Sequence, residues 1–233
     1  MDRANPGPLR WQTWLVRGWF ACTLAAWIAG PPILAGTPGW TAFWAYVVVL
    51  VAGLMLHRVH VLRRNPGLWA SRREVGAGSK AWDYAWNLGF WPLMALVPNA
   101  AGLDFRLQAW LLHPAWFVPG VVLLAGGLSL SAWAMGCNPF FEGTVRIQAD
   151  RGHRVVEAGP YHVIRHPGYL GLCLWAMATP FLLLSGWAFL PALAVVAWVV
   201  LRTALEDRTL RRELPGYDDY ARRTRYRLVP GAW

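Results

Sequence analysis

The chain has 233 residues, of which 56% are hydrophobic and only 15% are charged. An ordinary soluble domain carries roughly 25% charged residues, so this composition excludes a water-soluble globular protein and indicates a chain solvated mostly by lipid. The formal net charge of +10 must then be interpreted together with the membrane topology.

Six apolar stretches are long enough to cross a hydrocarbon core of about 30 Å, which takes roughly 20 helical residues. In chain order they lie at residues 18–36, 40–57, 84–103, 115–136, 168–184 and 187–203. Prolines interrupt the first and the third, and such breaks are tolerated where neighbouring helices satisfy the freed carbonyls. The sequence therefore predicts an all-α integral membrane protein with about six transmembrane helices.

The positive residues fall almost entirely on one side of this predicted membrane. Of 22 Lys and Arg residues, three precede the first span, six lie between the second and third, four between the fourth and fifth, and eight from Arg202 onward. Arg106 alone falls on the other side. Because positively charged loops remain in the cytoplasm, we expect both termini there. The net charge then reflects topology and attraction to anionic head groups, and nucleic acid is not an expected partner.

The chain is predicted to have two parts, residues 1–136 with the first four spans and residues 137–233 with the last two. Leucines at helical spacing after Arg202 predict that the sixth span continues as a cytoplasmic helical extension, which Pro215-Gly216 ends. Scattered cysteines and a lone pair of histidines at His57 and His60, with no third ligand, predict no metal site. The dominance of Arg over Lys favours a bacterial inner membrane as the location.

The densest polar cluster, G-P-Y-H-V-I-R-H-P-G-Y-L-G at residues 159–171, lies where the chain enters the fifth span. An ionisable group at a lipid boundary needs a partner or a function. Pro167 can begin a helix whose N-terminal amides favour electron-rich ligand atoms. The alternative is that Arg165 and His166 only reach lipid phosphates and that Tyr169 belongs to the interfacial aromatic belt.

A second cluster, Arg202, Glu206 and Asp207, lies at the inner end of the sixth span. The spacing of four residues places Arg202 and Glu206 on one helix face, so a plain intrahelical ion pair is the alternative to a site. Because the last two spans form a tight hairpin, we expect the two clusters to face each other. The carboxylates can accept protons from hydroxyl or amine groups, and the aromatic rings can cover a base or a cation. Such a pocket would suit a nucleotide-like ligand that carries a sulfonium.

The order of these motifs resembles the isoprenylcysteine carboxyl methyltransferase family and related membrane phospholipid methyltransferases. The motifs are G-P-Y-x-x-x-R-H-P-x-Y-x-G, R-T-x-x-E-D-x-x-L and P-G-Y-x-x-Y ending in R-Y-R-L-V-P, across about residues 137–231. The resemblance implies an S-adenosylmethionine-dependent methyltransferase. Its lipid or isoprenoid acceptor would enter from the bilayer, and its cofactor would enter from the cytoplasm.

The resemblance also implies roles for single residues. The cofactor pocket would be lined by Gly159, Tyr161, His166, Pro167, Tyr169, Gly171, Glu206 and Asp207. Arg165 and Arg202 would face the acceptor and are, with Glu206, the predicted catalytic residues. Asp207 occupies a position where the family has a second Glu. The stretch from Asn138 to Arg146 also resembles the bacterial branch, and either end residue could contact cofactor or a lipid head group, or the stretch could be a surface loop.

The nature of the acceptor stays open between prenylcysteine, small isoprenoid and phospholipid. An ionised carboxylate needs no general base, whereas an amine or a hydroxyl would need Glu206 or His166 in that role, so the residues favour a carboxylate. Two other functions remain open, an NADPH-dependent membrane reductase of the sterol-reductase type and a non-enzymatic membrane protein. The oligomeric state is not predicted.

Overall fold

The computed structural model describes residues 10–68 and 80–233, and a helix occupies each of the six predicted spans. These helices are α1 Arg10–Ala35, α2 Thr41–Arg64, α3 Ala81–Leu107, α4 Phe117–Cys137, α5 Pro167–Leu182 and α6 Phe189–Glu213, followed by α7 Tyr217–Arg223. Within those residues no β-strand occurs, which confirms the all-α prediction. Residues 1–9 and 69–79, which hold part of the predicted cytoplasmic charge, lie outside the described residues.

In the part of the chain that the structure describes, four helical segments are long and apolar enough to cross a membrane. They are Gly18–Ala35, Thr41–Arg64, Pro114–Cys137 and Phe189–Glu213. The helix α5 has 16 residues, about 24 Å at 1.5 Å per residue, and α3, with 27 residues, is long enough but less apolar. The chain is thus a multi-pass membrane protein, while the count of six spans and the side of the termini remain predictions.

The short helix α5 lies at the centre of the bundle, where it packs against α4 and α6 and also contacts α2 and α3. Its Ala176 and Ala178 are fully buried. The surrounding helices instead expose large apolar side chains, including Ile33, Leu56 and Leu190, a pattern typical of contact with lipid. The helix α5 is therefore solvated by protein, which explains how a short helix can form the centre of the bundle.

The helices α4 and α5 approach each other closely at Gly127 and Gly171. A Cβ on Gly171 would lie 2.6 Å from the carbonyl oxygen of Gly127, and a Cβ on Gly127 would lie 2.7 Å from that of Gly171. Small residues permit such close contact between membrane helices. Gly171 therefore contributes to the site by setting the position of α5.

We expect Gly171→Ala to lower the free energy of unfolding by about 1–3 kcal/mol, because the added methyl meets backbone that cannot move aside. Denaturant titration in detergent micelles measures this change. Gly126→Ala is the matched control, since no atom lies within 4 Å of a Cβ there and alanine favours a helix. An equal loss of stability in both variants would contradict the conclusion that Gly171 is needed for the close contact between α4 and α5.

The end of the bundle opposite the polar clusters is held together by Asp104, which is fully buried. Its carboxylate accepts hydrogen bonds from the Ser185 hydroxyl at 2.5 Å and from the backbone amides of Trp110 at 2.7 Å and Trp187 at 3.3 Å. These bonds tie the end of α3 to the turn between α5 and α6. The depth of that hairpin relative to α3 is thereby fixed.

At the other end, α6 continues to Glu213 before Gly216, with φ at +81°, turns the chain into α7. The predicted helical continuation and its end at Pro215-Gly216 are confirmed. The last residues then fold back over the start of α5, where the amides of Arg165 and His166 each donate at 2.9 Å to the carbonyls of Tyr226 and Arg227. The two predicted clusters and the chain's last segment thus meet.

Candidate active site

A cleft opens where α5 begins and α6 ends. Its cavity volume is about 100 Å³, and the cleft is partly open to solvent. Its lining includes aromatic Phe140, Tyr161, Tyr169 and Tyr217, acidic Glu206, and basic Arg146 and His153. The mixture of rings with both signs of charge suits a ligand that is partly aromatic and zwitterionic.

The predicted site residues divide into those that line the cleft and those that lie behind it. Lining the cleft are Tyr161, Arg165, His166, Tyr169 and Glu206, together with Asn138 and Arg146. Behind it lie Gly159, Pro167, Gly171, Arg202 and Asp207, which are absent from its lining. For the second group, direct contact with a ligand stays a prediction.

Glu206 and Tyr169 join the two clusters across the α5–α6 hairpin. The Tyr169 hydroxyl donates a hydrogen bond to Oε2 of Glu206. The imidazole of His166 stacks nearly parallel on the Tyr169 ring, with centroids 5.7 Å apart. A carboxylate beside two stacked rings forms a surface that attracts a cation. The prediction that the two clusters face each other is confirmed.

Asp207, the next residue on α6, points away from the cleft into a set of cations. Its side chain is 1% exposed and lies 2.7 Å from the Arg165 Nε and 3.0 Å from the Arg227 Nε. The Tyr217 hydroxyl donates to it at 3.1 Å, and His166 Nε2 lies 3.4 Å away. Asp207 therefore connects α5, α6, α7 and the last segment of the chain, and its direct contact with a cofactor remains a prediction.

Arg165 lines the cleft but uses most of its donors within the protein. Besides the two bonds to Asp207, its Nη1 donates at 2.7 Å to the carbonyls of both Thr224 and Arg225. Four of the five N–H groups of a guanidinium are thus engaged in a side chain that is 2% exposed. The geometry gives Arg165 a positioning role, and its contact with an acceptor stays a prediction.

Arg202 lies behind Tyr169 and pairs with a residue that the sequence did not single out. Its Nη2 is 3.0 Å from Oδ1 of Asp83 and donates to the Gly143 carbonyl at 2.8 Å. Its guanidinium lies over the ring of Trp86, 4.2 Å from the centroid. The intrahelical pair with Glu206 that the spacing favours is not formed. The sequence signal that could have identified Asp83 as a site residue is its position, since it is an acidic residue at the start of the third predicted span.

The loop between α4 and α5 forms the wall opposite α6 and is fixed by its own hydrogen bonds. Glu142 takes two bonds from Arg146, at 2.9 and 3.0 Å, and Gln148 donates to the Phe140 carbonyl at 2.8 Å. Asn138 donates to the Tyr161 hydroxyl at 3.2 Å. The wall is preformed, so a ligand would not have to order it.

Two glycines let this wall close over the start of α5. A Cβ on Gly168 would lie 2.6 Å from the Phe141 ring. Gly159 has φ at +61°, and a Cβ there would lie 2.7 Å from Sγ of Cys137. Gly159 thus permits the turn that places Tyr161 in the cleft without lining the cleft itself.

Burial controls the charge states of the groups around the cleft entrance. It raises the pKa of Tyr161 and Tyr217, so both hydroxyls are neutral donors at neutral pH. Burial lowers the pKa of His153 below its ordinary 6.5, and its Nδ1 accepts the Gln148 amide at 3.3 Å. Across residues 10–68 and 80–233, no three His, Cys, Asp or Glu side chains are placed to share a metal ion.

The low pKa of His153 predicts a loss of stability in acid. Above pH 6.5 the imidazole is neutral in both the folded and unfolded states, whereas below it the unfolded chain takes up the proton first. The free energy of unfolding should therefore fall as the pH drops below about 6.5, and His153→Gln should reduce that slope. Unfolding titrations in detergent between pH 5 and 8 measure this pH dependence of the free energy of unfolding. His162→Gln, at an exposed position, is the control, and an equal reduction there would contradict the assignment.

The helices and the cleft together define a multi-pass helical membrane protein with a polar cleft at one end of its bundle. Residues 120–212 match the model of the isoprenylcysteine carboxyl methyltransferase family, about two fifths of the chain. The match includes α5, α6 and the loop that forms the cleft wall. The resemblance predicted from the motifs is thereby confirmed.

The chain is also similar in sequence to plant proteins named as isoprenylcysteine methyltransferases. The chain is 29% identical over 114 residues to a "Probable protein-S-isoprenylcysteine O-methyltransferase" of Oryza sativa subsp. indica, covering 46% of this chain and 59% of that protein. The corresponding protein of subsp. japonica gives the same figures. "Protein-S-isoprenylcysteine O-methyltransferase B" of Arabidopsis thaliana is 33% identical over 58 residues, 25% of this chain and 29% of that protein. The chain thus spans less than two thirds of the relatives it matches.

Proposed function

We propose that this protein is an integral membrane methyltransferase that uses S-adenosylmethionine and methylates a carboxylate on a lipid-borne or isoprenoid acceptor. The observation that carries the proposal is the Tyr169–Glu206 pair, which lies between an open polar cleft and the buried guanidinium of Arg202. The pair lies within the segment that matches the family. Each named relative carries a methyltransferase name, which favours this function over a reductase.

The donor set of the cleft fits S-adenosylmethionine group by group. The Glu206 carboxylate can accept protons from a ribose hydroxyl or an ammonium, and the rings of Tyr161 and Tyr169 can cover adenine or face a sulfonium. Arg154, which also lines the cleft, can attract a carboxylate, whereas Arg146 is already paired with Glu142 and Asp150. When bound, the cofactor would supply an electrophilic methyl group on sulfur.

The acceptor would approach from the side of Arg202. Its guanidinium carbon lies 5.4 Å from the centroid of Tyr169, and its Nε has no hydrogen-bond partner among the residues that the structure describes. A buried donor without a partner is costly, and a carboxylate oxygen would satisfy it. Because an ionised carboxylate is itself the nucleophile, positioning and exclusion of water can supply much of the rate.

The topology that we propose has six spans, with α5 inside the bundle and the cleft at the cytoplasmic face of a bacterial inner membrane. The distribution of arginines in the sequence supports this orientation. It would let a soluble cofactor enter the cleft from the cytoplasm, while an acceptor anchored in the bilayer reaches Arg202 from the side.

Incubation of purified protein with methyl-labelled S-adenosylmethionine and a lipid extract tests the proposal. We expect a labelled lipid that releases volatile methanol in base, as a carboxyl methyl ester does, and strong losses for His166→Ala and Glu206→Ala. A base-stable labelled lipid would identify an amine or ether product and contradict the carboxylate. Absence of both labelled lipid and cofactor binding in the wild type would contradict the proposal as a whole.

A further inference from the structure

We propose that Asp83 on α3 is a positioning residue of the active site, which acts by holding the Arg202 guanidinium in place for the acceptor. The inference rests on the proposed function. Asp83 lies outside residues 120–212, in a part of the chain where the sequence offered no motif. It would make the N-terminal helices part of the catalytic unit as well as its anchor.

The first observation is the way in which Arg202 is enclosed. The residue is 5% exposed, with the Trp86 ring beneath its guanidinium and the Gly143 carbonyl at one end. Oδ1 of Asp83 lies 3.0 Å from Nη2, although the angles are not those of a hydrogen bond. The carboxylate therefore balances the charge of the guanidinium while leaving the Nε edge free.

The second observation is that Asp83 also fixes the wall of the cleft. Its Oδ2 accepts the amide of Val145 at 2.8 Å, and the carbonyl of Val145 accepts the amide of Lys80 at 3.1 Å. The Asp83 carboxylate is fully buried. A single side chain thus links the loop on one side of the cleft to α6 on the other.

The third observation is that α3 presents a matched pair of groups to Arg202. Trp86 follows Asp83 by three residues and so lies on the same helix face. Its indole donates to the Trp198 carbonyl of α6 at 2.8 Å, and the Trp198 indole donates back to the Trp86 carbonyl at 3.2 Å. These reciprocal bonds hold α3 and α6 in register, so the carboxylate and the ring reach the guanidinium together.

Removing the charge at position 83 would leave Arg202 buried beside Tyr169 and free to turn toward Glu206, one helical turn away. We expect Asp83→Asn, which keeps the size of the side chain, to lower kcat/KM for the lipid acceptor by about 10- to 100-fold. The Kd for S-adenosylmethionine should change by less than about threefold, because the cleft keeps Glu206 and its rings.

A double-mutant cycle with Arg202→Gln separates positioning from general damage. If Asp83 acts through Arg202, the double variant should be no slower than Arg202→Gln alone. Losses that multiply would overturn the inference. If Asp83→Asn does not fold, Asp83→Glu replaces it, and wild-type kcat/KM in that variant would equally overturn the inference, because a displaced carboxylate must misplace the guanidinium.

Asp104→Asn is the matched control, since Asp104 is an equally buried carboxylate on the same helix at the far end of the bundle. We expect it to lower stability but to leave kcat/KM of the folded protein unchanged. If the wild type methylates a lipid and Asp83→Asn does so equally well, only this inference fails. If the wild type binds no S-adenosylmethionine, the proposed function itself fails.

Discussion

Replacing Glu206 with glutamine is expected to lower methyl transfer by about 30-fold or more, the effect of about 2 kcal/mol when one partner of a partly buried, hydrogen-bonded charge is removed. Glutamine keeps the size of the side chain but not the charge that faces the cleft and accepts the Tyr169 hydroxyl. Initial rates with methyl-labelled cofactor measure the loss. The Kd for the cofactor should rise in the same variant.

Glu213→Gln provides the control, because Glu213 lies at the end of the same helix. Its carboxylate pairs with Lys80 at 2.7 Å, and the two side chains are 41% and 31% exposed. Exposed pairs of this kind contribute about 0–1 kcal/mol, so the rate should stay close to that of the wild type. If Glu213→Gln lowered the rate as much as Glu206→Gln, any substitution on α6 would reduce methyl transfer. That result would contradict a specific role for Glu206.

Replacing Asp207 with asparagine is expected to lower the free energy of unfolding by about 3–5 kcal/mol, since it leaves the buried Arg165 without its counter-charge. Arg227 and Tyr217 lose the same acceptor. The chain's last segment should then detach from α5, which limited proteolysis would detect as new cleavage after about residue 224. Denaturant titration in detergent measures the stability.

The control for Asp207 is Asp218→Asn. Its carboxylate is 57% exposed and lies 3.4 Å from Arg211, which is also a partner of Asp207. We expect little change in stability there. If Asp207→Asn were as stable as the wild type, Asp207 would not be the structural centre of the site, and the predicted direct contact with the cofactor would become the better explanation for its presence.

Much of this arrangement follows from local sequence patterns. Hydropathy located all six helices, because a run of about 20 apolar residues has few alternatives to a buried or lipid-facing helix. The short connection between Leu182 and Phe189 required the start of α5 and the end of α6 to lie at one depth. The sequence alone therefore predicts that His166, Tyr169 and Glu206 lie close together.

Glu206 and Asp207 have different surroundings because of helix geometry, which the family resemblance does not reveal. Neighbouring residues on an α-helix point about 100° apart, so two adjacent carboxylates do not face one cleft equally. Glu206 faces the cleft, and Asp207 faces α7 and the folded-back segment. The resemblance treats the two as one acidic pair, whereas the packing of α7 separates them.

The partners of Arg202 and Arg165 could not be predicted, because they depend on long-range packing. Asp83 is distant in the sequence and reaches Arg202 only through the contact between α3 and α6. Arg165 bonds to the backbone carbonyls of Thr224 and Arg225. Because every residue has such a carbonyl, the sequence gives no indication of these partners. Spacing within one helix favoured Glu206 as the partner of Arg202, and tertiary structure supplied a more enclosed carboxylate.

Equilibrium binding of S-adenosylmethionine to the purified, detergent-solubilised protein tests the central claim most directly, with NADPH measured in parallel. The account predicts saturable binding of S-adenosylmethionine, weakened at least about tenfold by Glu206→Gln and unaffected by Glu213→Gln, and no saturable binding of NADPH. Binding of NADPH in place of S-adenosylmethionine, or equal binding to wild type and Glu206→Gln, would contradict it.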